Sequence, residues 1–375
     1  MQQTVTAKLQ ILVNPSDKQI LCDTMKAYSD ACNYVSEYIY KTHNLSRYSV
    51  QEDTYHQIRE IYGLRSQMAV SCVRTVIAKY KTILENQNDW IKPVFRIPQL
   101  DLVWNRDYSL NIKNDIFSVN TLNGRIKVNF YKNGYEKYFA DTCKFGTAKI
   151  VFKHDRFFLH IPVTYEIEKL NMSDVSNVVG IDRGIRFIVT AYNSKGKTKF
   201  YSGKTIKQKR GHCKALRKEL QQVGTPSSRR RIKAIGQREN RWMQDVNHCI
   251  SKALVESNPA GTLFVLEDLT GIRSATEKIL VKNRYVSVSW SYYDLEQKLT
   301  YKALKNHQLV EKVNPAYTSQ TCPKCGHTEK ASRDKHKHVF CCKNCGYKSN
   351  DDRIGAMNLY RMGIELLVPD TVAAE

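Results

Sequence analysis

The sequence has no apolar run long enough to cross a bilayer, and it has few acidic residues for its size. Its first ten residues lack a charged segment followed by an apolar one, so we expect no signal peptide. Lysine and arginine number 59 against 36 aspartate and glutamate, a formal net charge of +23 in 375 residues. Such an excess of positive charge favours a polyanionic partner. Because nothing indicates a membrane, we predict a cytoplasmic protein that binds nucleic acid.

The cysteine count, eleven, is odd and does not suit a framework of disulfides. Four cysteines form two C-x-x-C pairs separated by sixteen residues: Cys322 with Cys325, and Cys342 with Cys345. Each such turn presents two thiolates from one tight bend, and Zn²⁺ binds four of them tetrahedrally. A glycine follows each pair, where these turns often need a positive φ. We therefore predict a structural zinc ribbon; four reduced cysteines without a metal are the alternative that this spacing disfavours.

The N-terminal part of the chain alternates between β and α patterns. Residues 3–13 alternate loosely between apolar and polar side chains and predict a first strand. Ser16 and Gln19 have the spacing of a capping box for the helix that follows. The helical patterns lie near residues 17–42, 50–62 and 66–86. These three helices form a small insertion in a β domain.

Period-two runs dominate residues 92–166 and predict strands. The dipeptides Asn123-Gly124 and Asn133-Gly134 are typical of tight hairpin turns. We predict an antiparallel sheet or small barrel that the first strand joins.

Acidic residues stand where buried strands and a helix meet in the C-terminal half. The strand pattern before Asp182 and the one before Glu267 both run into an acid, and Asp351-Asp352 precedes the last helix. Taken singly, each acid has a structural alternative, such as a turn or helix cap. Taken together, three such carboxylates can converge on two Mg²⁺ ions about 4 Å apart, an arrangement that hydrolyses phosphodiesters.

Residues 203–241 carry thirteen lysines or arginines against two glutamates. Two helices separated by a break at Gly224 are predicted here. A solvated charged face is one interpretation, but an imbalance this large repels itself without a polyanion. We therefore expect nucleic-acid contact along these helices.

Several of these motifs together resemble the RuvC nuclease core of TnpB proteins, which are RNA-guided DNA endonucleases encoded by insertion sequences. The motifs are G-I-D-x-G around Asp182, F-V-L-E-D-L around Glu267, T-S-Q-T-C-x-x-C-G from Thr318 with C-x-x-C-G-Y from Cys342, and D-x-x-G-A-x-N from Asp352 to Asn358. Compact type V CRISPR effectors share the same core. The family usually has Asn where Ile354 stands.

The resemblance implies an α+β, multidomain protein: an N-terminal antiparallel β-barrel with a helical insertion, then an RNase H-like (RuvC) α/β domain with an inserted zinc ribbon. It implies Asp182, Glu267 and Asp352 as catalytic Mg²⁺ ligands, and prefers Asp352 to Asp351 by the family's spacing. The implied domains are a wedge-type barrel at 1–15 and 91–172, a recognition insertion at 16–90, a nuclease at 173–317 and 348–375, and the ribbon at 318–347.

The resemblance also implies partners. They are a guide RNA transcribed from the end of the insertion sequence and double-stranded target DNA bearing a short adjacent motif. One protein per guide is expected, in a prokaryotic cytoplasm and on the nucleoid when bound to DNA. The alternatives are a compact type V effector with a repeat-derived guide and a nuclease-inactive DNA-binding regulator. Nothing in the sequence singles out a transposase that joins strands.

Overall fold

The computed structural model describes residues 2–86, 89–139, 142–269, 292–334 and 337–368. Its chain divides into two compact units, Met1–Ile167 and Glu168–Glu375. Residues 271–286 are basic without clear periodicity, which predicts a loop, and Ser289 and Trp290 are predicted to begin a helix; both segments lie outside the described residues. Within them, no helix is long and apolar enough to span a membrane.

An antiparallel sheet organises the first unit. Its described strands are β1 (Gln2–Leu12), β2 (Gln99–Leu102), β3 (Tyr108–Asn111), β4 (Ile116–Thr121), β5 (Gly124–Tyr131), β6 (Lys144–Phe145), β7 (Ala148–Lys153) and β8 (Arg156–Glu166). They lie in the order β2-β7-β8-β1-β5-β4-β3, with β6 on β8. The predicted joining of the first strand is confirmed, because β1 pairs with both β8 and β5. The strands at the two ends, β2 and β3, are consecutive in sequence, so the sheet nearly closes.

Three helices interrupt this sheet, as predicted: α1 (Pro15–Thr42), α2 (Arg47–Tyr62) and α3 (Ser66–Glu85). The predicted capping box of α1 is wrong. Asn14 caps the helix instead, since its side chain accepts a hydrogen bond from the Asp17 amide at 2.7 Å. Pro15 suits the first helical position because its missing N–H would have no partner there. Ser16 therefore lies inside the first turn and donates to the Asn14 side chain at 2.8 Å.

One of the two predicted hairpin turns is also wrong. Asn123-Gly124 joins β4 to β5 as expected. Asn133-Gly134 forms a turn but is followed by a short 3-10 helix, Glu136–Tyr138. The physical reason is that β5 already pairs with β4 on one edge and β1 on the other, so no edge remains for a hairpin partner.

A mixed sheet organises the second unit. Its strands are β9 (Asn177–Asp182), β10 (Phe187–Asn193), β11 (Thr198–Ser202), β12 (Thr262–Glu267) and β13 (Leu309–Val313), in the order β11-β10-β9-β12-β13. Strands β9, β12 and β13 run parallel, whereas β10 is antiparallel to β9. The acid-bearing strands β9 and β12 are therefore neighbours at the centre of the sheet.

Helices cover both faces of this sheet. They are α4 (Lys204–Val223), α5 (Pro226–Glu256), α6 (Tyr292–Lys305) and α7 (Asp351–Glu365). Phe264 and Leu266 point to the face where α5 and α6 pack, while Leu263 and Val265 point to the face covered by Leu359 of α7. Strands buried on both faces explain the continuous apolar runs before Asp182 and Glu267. On α5, the apolar spacing predicts that Cys249 faces the core, but its side chain is exposed.

A three-stranded antiparallel sheet, the cysteine-bearing sheet, holds the second cysteine pair in the connection between two of its strands, and the first pair precedes it in sequence. With the first pair it forms the cysteine-bearing segment, residues 318–350. The sheet consists of β14 (Arg333–Asp334), β15 (Val339–Cys341) and β16 (Lys348–Asn350). Strand β16 leads directly into α7, so the fold of this segment determines where α7 begins.

Candidate nuclease and zinc sites

Asp182 and Glu267 lie side by side because they are the last residues of neighbouring parallel strands. The register pairs Leu266 of β12 with Ile181 of β9, so both acids follow this pair at the same edge of the sheet. The carboxyl ends of parallel strands are where ligands bind in open α/β sheets. Both side chains are half-buried.

Helix α7 brings Asp352 to the same edge by packing closely on β9. A Cβ at Gly180 would overlap the backbone of Ala356 and Tyr360, so only glycine permits this approach. A Cβ at Gly355, one turn into the helix, would lie 2.9 Å from Asp182 Cγ. The structure therefore places the first turn of α7 directly against Asp182.

Burial raises the pKa of all three carboxylates, and the other two also raise that of Asp182. Loss of hydration raises the pKa of Asp182 well above its ordinary value, and the charges of Glu267 and Asp352 raise it further. Loss of hydration also raises the pKa of Glu267, although a hydrogen bond from Thr318 opposes the shift. Burial, and next the charge of Asp351, raise the pKa of Asp352. Acidic groups that lie close together and are partly removed from water are typical of functional sites.

The two consecutive acids at the start of α7 have different surroundings. Asn350 is the N-cap residue and accepts a hydrogen bond from the Arg353 amide at 3.1 Å, so the capping alternative for the acids is wrong. Asp351 accepts from Arg333 Nε at 3.0 Å and from the Asp352 amide at 3.0 Å. Asp352 is 7% exposed, and its Oδ2 has no hydrogen-bond partner among the described residues. An unpaired buried carboxylate oxygen is a position that a cation would satisfy.

Sequence reasoning missed the side chains that hold Glu267. The Thr318 hydroxyl donates to Glu267 Oε1. The Asn358 amide donates to the backbone oxygens of Thr318 and Thr321 at 2.7 and 2.8 Å, which fixes that turn. Arg183 donates to the Glu267 backbone oxygen. Thr318 and Asn358 stood within the recognised motifs, but the partners they select could not be read from spacing.

The acids form a wider group than the cysteines. Among the described residues, two groups have possible ligand atoms all within 4.8 Å of one another: the four cysteines, and His338 with Asp351 and Asp352. Asp182 and Glu267 extend the acidic group beyond this distance. A wider arrangement suits a pair of ions about 4 Å apart, and carboxylate oxygens are the ligands that Mg²⁺ prefers.

The four predicted cysteines come together as a group. Cys322 Sγ lies 3.6 Å from Cys345 Sγ, and Cys325 Sγ lies 3.6 Å from Cys342 Sγ. Sulfurs at about 2.3 Å from a tetrahedral Zn²⁺ would be about 3.8 Å apart, so the donor set fits this ion. The glycines after each pair have φ of 75° and 71°, as predicted. Backbone hydrogen bonds and the neighbouring thiols shift the pKa of these cysteines in both directions: that of Cys325 is lowered to about 6, chiefly by the His327 amide, and that of Cys345 is raised.

The basic segment folds into the adjacent helices α4 and α5. Eleven of its thirteen cations are exposed. The other two, Arg210 and Arg217, form ion pairs with the buried side chain of Glu239. The expectation of nucleic-acid contact along this segment therefore concerns the exposed eleven.

Two family models match the chain. One, described as a probable transposase, matches residues 160–270, and the other, a Cas12f1-like TNB domain, matches residues 292–359. The first range contains Asp182 and Glu267. The second contains the four cysteines and Asp352.

Known proteins also match the chain. The CRISPR-associated endodeoxyribonuclease Cas12f1 of Syntrophomonas palmitatica is 30% identical over 209 residues, which cover 52% of this chain and 40% of that protein. A TnpB-like protein of Methanocaldococcus jannaschii is 27% identical over 247 residues, covering 63% of this chain and 86% of that protein. The chain spans about half the length of the first Cas12f1 relatives it matches.

A solved structure extends the likeness to the whole fold. The protein in a Cas12f1–sgRNA–target DNA complex has a TM-score of 0.59 to this chain at 12% identity, covering 96% of this chain and 98% of that one. At this identity, the likeness concerns the fold alone. It supports the predicted α+β, multidomain architecture.

Proposed function

From its relationship to the TnpB-like and Cas12f proteins, we propose that the chain is a metal-dependent, RNA-guided DNA endonuclease. The observation that carries the proposal is the convergence of three carboxylates, from β9, β12 and α7, at one edge of a sheet. Its relatives include proteins named endodeoxyribonucleases. We assign the reaction as hydrolysis of DNA phosphodiesters.

In this proposal, Asp182, Glu267 and Asp352 hold two Mg²⁺ ions through their carboxylate oxygens. When bound, the ions activate a water molecule and stabilise the leaving oxygen. Thr318 and Arg183 fix the side chain and backbone of Glu267, respectively, so this ligand needs little rearrangement. Cys322, Cys325, Cys342 and Cys345 hold a structural Zn²⁺.

The proposal includes the finer architecture. The mixed sheet with α4 to α7 is assigned as an RNase H-like (RuvC) domain, and the cysteine-bearing sheet as its zinc ribbon. The antiparallel sheet is assigned as a wedge-type barrel and α1 to α3 as its recognition insertion. The assigned ranges are 1–15 and 91–172, 16–90, 173–317 and 348–375, and 318–347.

The proposed partners are a guide RNA and double-stranded target DNA. The exposed cations of α4 and α5 support this choice, since phosphate neutralisation supplies much of the affinity for nucleic acid. A guide transcribed from the end of an insertion sequence is proposed, with one protein per guide, in a prokaryotic cytoplasm.

A compact type V CRISPR effector is the second candidate, because Cas12f1 proteins are among the relatives. The two candidates share the chemistry and differ in the guide. Sequencing the RNA that copurifies with the protein, expressed with its native flanking DNA, separates them. An RNA that overlaps the element's end supports the first candidate, and a repeat-derived RNA supports the second.

The nuclease itself is tested with the protein–RNA complex and a DNA target that matches the guide. Asp182→Ala and Glu267→Ala are expected to lower Mg²⁺-dependent cleavage by at least 100-fold, because each removes a metal ligand. RNA binding is expected to stay within about twofold, which is the control for folding. Cleavage at the wild-type rate by either variant would contradict the assignment. Wild-type protein that binds RNA but never cleaves would favour a nuclease-inactive regulator.

A further inference from the structure

A second carboxylate, Asp351, adjoins the proposed ligand Asp352 but faces the cysteine-bearing sheet. Its side chain is fully buried. Oδ2 accepts a hydrogen bond from Arg333 Nε at 3.0 Å, and Oδ1 lies 3.5 Å from His338 Nδ1. Oδ1 also accepts from the Asp352 amide at 3.0 Å. Both oxygens of Asp351 are therefore already satisfied by the protein.

Further hydrogen bonds link the start of α7 to the cysteine-bearing segment. Arg333 uses Nη1 to donate to Ser319 Oγ at 2.7 Å. The backbone oxygen of His338 accepts from the Asn350 side chain at 3.3 Å and from the Asp351 amide at 3.4 Å. The start of α7 is thus held by Arg333 of β14 and by His338, which precedes β15.

Breaking the ion pair between Arg333 and Asp351 would be energetically costly. A buried carboxylate that loses its cationic partner is left as an uncompensated charge, which is strongly unfavourable. Arg333 binds Asp351 through a planar guanidinium whose other nitrogen is bound elsewhere, so its direction is defined as well as its charge. The peptide unit of Asp352 is bonded to the same carboxylate.

We propose that Asp351 is a positioning residue, which with Arg333 and His338 orients Asp352 toward Asp182 and Glu267. We call these three residues the Asp351 clasp. The inference rests on the proposed function, since it concerns how one of the three proposed metal ligands is oriented. It also gives the cysteine-bearing segment a role in metal binding at the acids, although none of its cysteines is an acid-site ligand.

Substitution of Arg333 offers a test, because positioning and electrostatics predict opposite changes in the affinity for a divalent metal. Its positive charge acts on Asp182, Glu267 and Asp352. Removing a nearby cation would, by electrostatics alone, strengthen the binding of a divalent metal. Removing the clasp would weaken binding, because a metal ligand loses its orientation.

The experiment titrates full-length purified protein with Mn²⁺ and measures free Mn²⁺ by electron paramagnetic resonance. Arg333→Gln and Asp351→Asn are each expected to weaken Mn²⁺ binding by about tenfold or more, the range seen when partners of metal ligands are removed. Glu365→Gln is the matched control, because Glu365 lies on the same helix in an exposed pair with Arg361. It is expected to bind Mn²⁺ like the wild type.

Wild-type or tighter Mn²⁺ binding by Arg333→Gln would overturn the inference. Asp182→Asn separates this result from a failure of the proposed function: it must lose Mn²⁺ binding, and if it does not, the ligand assignment itself is wrong. Zinc content and thermal melting report whether each variant folds. If Arg333→Gln does not fold, Arg333→Lys replaces it, since it keeps the charge but not the two-sided geometry. The clasp predicts weaker binding for this variant also, and unchanged binding overturns it.

Discussion

Asp182, Glu267 and Asp352 are held together at an energetic cost when no cation is bound. Loss of hydration and mutual repulsion raise the pKa of Asp182, and loss of hydration is the main cause for the other two. A carboxyl with a raised pKa ionises less favourably in the folded protein than in the unfolded chain. The metal-free protein therefore loses stability as the pH rises from about 4 through the folded-state pKa of these groups.

Asp182→Asn is expected to raise the stability of the metal-free protein at pH 7 by roughly 0.5–2 kcal/mol while abolishing cleavage. The reason is that the amide keeps the shape of the side chain and removes one of three repelling charges. Thermal melting of protein dialysed free of Mg²⁺, with its zinc content checked, measures the effect. The gain should shrink below about pH 4, where the wild-type carboxyl is protonated in both states.

An exposed acid provides the control. Asp155 is 79% exposed at its side chain and pairs with Lys18, so Asp155→Asn should change the melting temperature little. An Asp182→Asn protein that melts at or below the wild-type temperature at pH 7 would show that repulsion at the site is not a net cost.

At the residue scale, the sequence predicts the candidate acids better than it predicts the side chains that hold them. The ends of apolar runs led to Asp182 and Glu267, the resemblance to the family singled out Asp352, and the structure brings all three to one edge of the sheet. The hydrogen bond from Thr318 to Glu267 spans 51 residues, and the Arg333–Asp351 bond spans 18. Such partners are selected by tertiary packing, which local patterns do not encode.

At the scale of elements, the approach of α7 to β9 decides whether the acids meet. Gly180→Ala is expected to destabilise the protein by roughly 1–3 kcal/mol or more, because the new methyl group would overlap the helix backbone, which cannot rotate away as a side chain can. Cleavage should fall as well, since the helix carries Asp352. Chemical denaturation and a cleavage assay measure the two effects.

Gly211→Ala is the matched control for this substitution. Gly211 lies inside α4, and a Cβ there would have no heavy atom within 4 Å. Alanine should therefore stabilise the helix, by roughly 0.5–1 kcal/mol. Similar free energies of unfolding for the two variants would contradict the close packing of α7 on β9.

The proposed Zn²⁺ site predicts that the cysteine-bearing sheet needs a bound metal to fold. Cys342→Ser is expected to lose zinc and to expose the amides of β14 to β16 to hydrogen exchange, because about 10 kcal/mol of apparent metal binding is coupled to folding at such sites. Cys341→Ser is the control, since Cys341 adjoins Cys342 in sequence but lies outside the four-sulfur group. Elemental analysis of the purified proteins decides: wild-type protein without zinc, or equal zinc loss in both variants, would contradict the assignment.

The order and type of the helices and strands were largely predictable from the sequence, but the pairing of the strands within the sheet was not. Periodicity predicted α1 to α3, the strands that end at Asp182 and Glu267, and the helix break at Gly224. The Asn133-Gly134 prediction failed because pairing of β5 with β1 depends on a strand more than 100 residues away in sequence. An Asn-Gly motif indicates a turn, but whether the strands on either side can pair depends on the rest of the sheet.

At the scale of the whole molecule, the excess of positive charge includes a group of exposed side chains on α4 and α5. The net charge is +23, and twelve exposed cations lie on α4 and α5, eleven of them within residues 203–241. These helices pack on the sheet that carries the acids, within one compact unit. A charge distribution of this kind predicts binding that weakens with salt, since each neutralised phosphate releases bound counterions.

A triple variant at the start of α5, with Arg229→Gln, Arg230→Gln and Arg231→Gln, tests this prediction. All three side chains are exposed. If each contacts a phosphate, the slope of log affinity against log salt for the guide RNA should become shallower by roughly 2, at about 0.7 for each contact. Filter binding at several salt concentrations measures the slope.

Lys252→Gln is the control near the other end of α5, where the lysine already pairs with Glu256 at 3.7 Å. Its slope should match that of the wild type. A triple variant with an unchanged slope would mean that the start of α5 contacts no phosphate. The excess charge of this segment would then serve solubility, and the contacts to nucleic acid would have to come from other exposed cations.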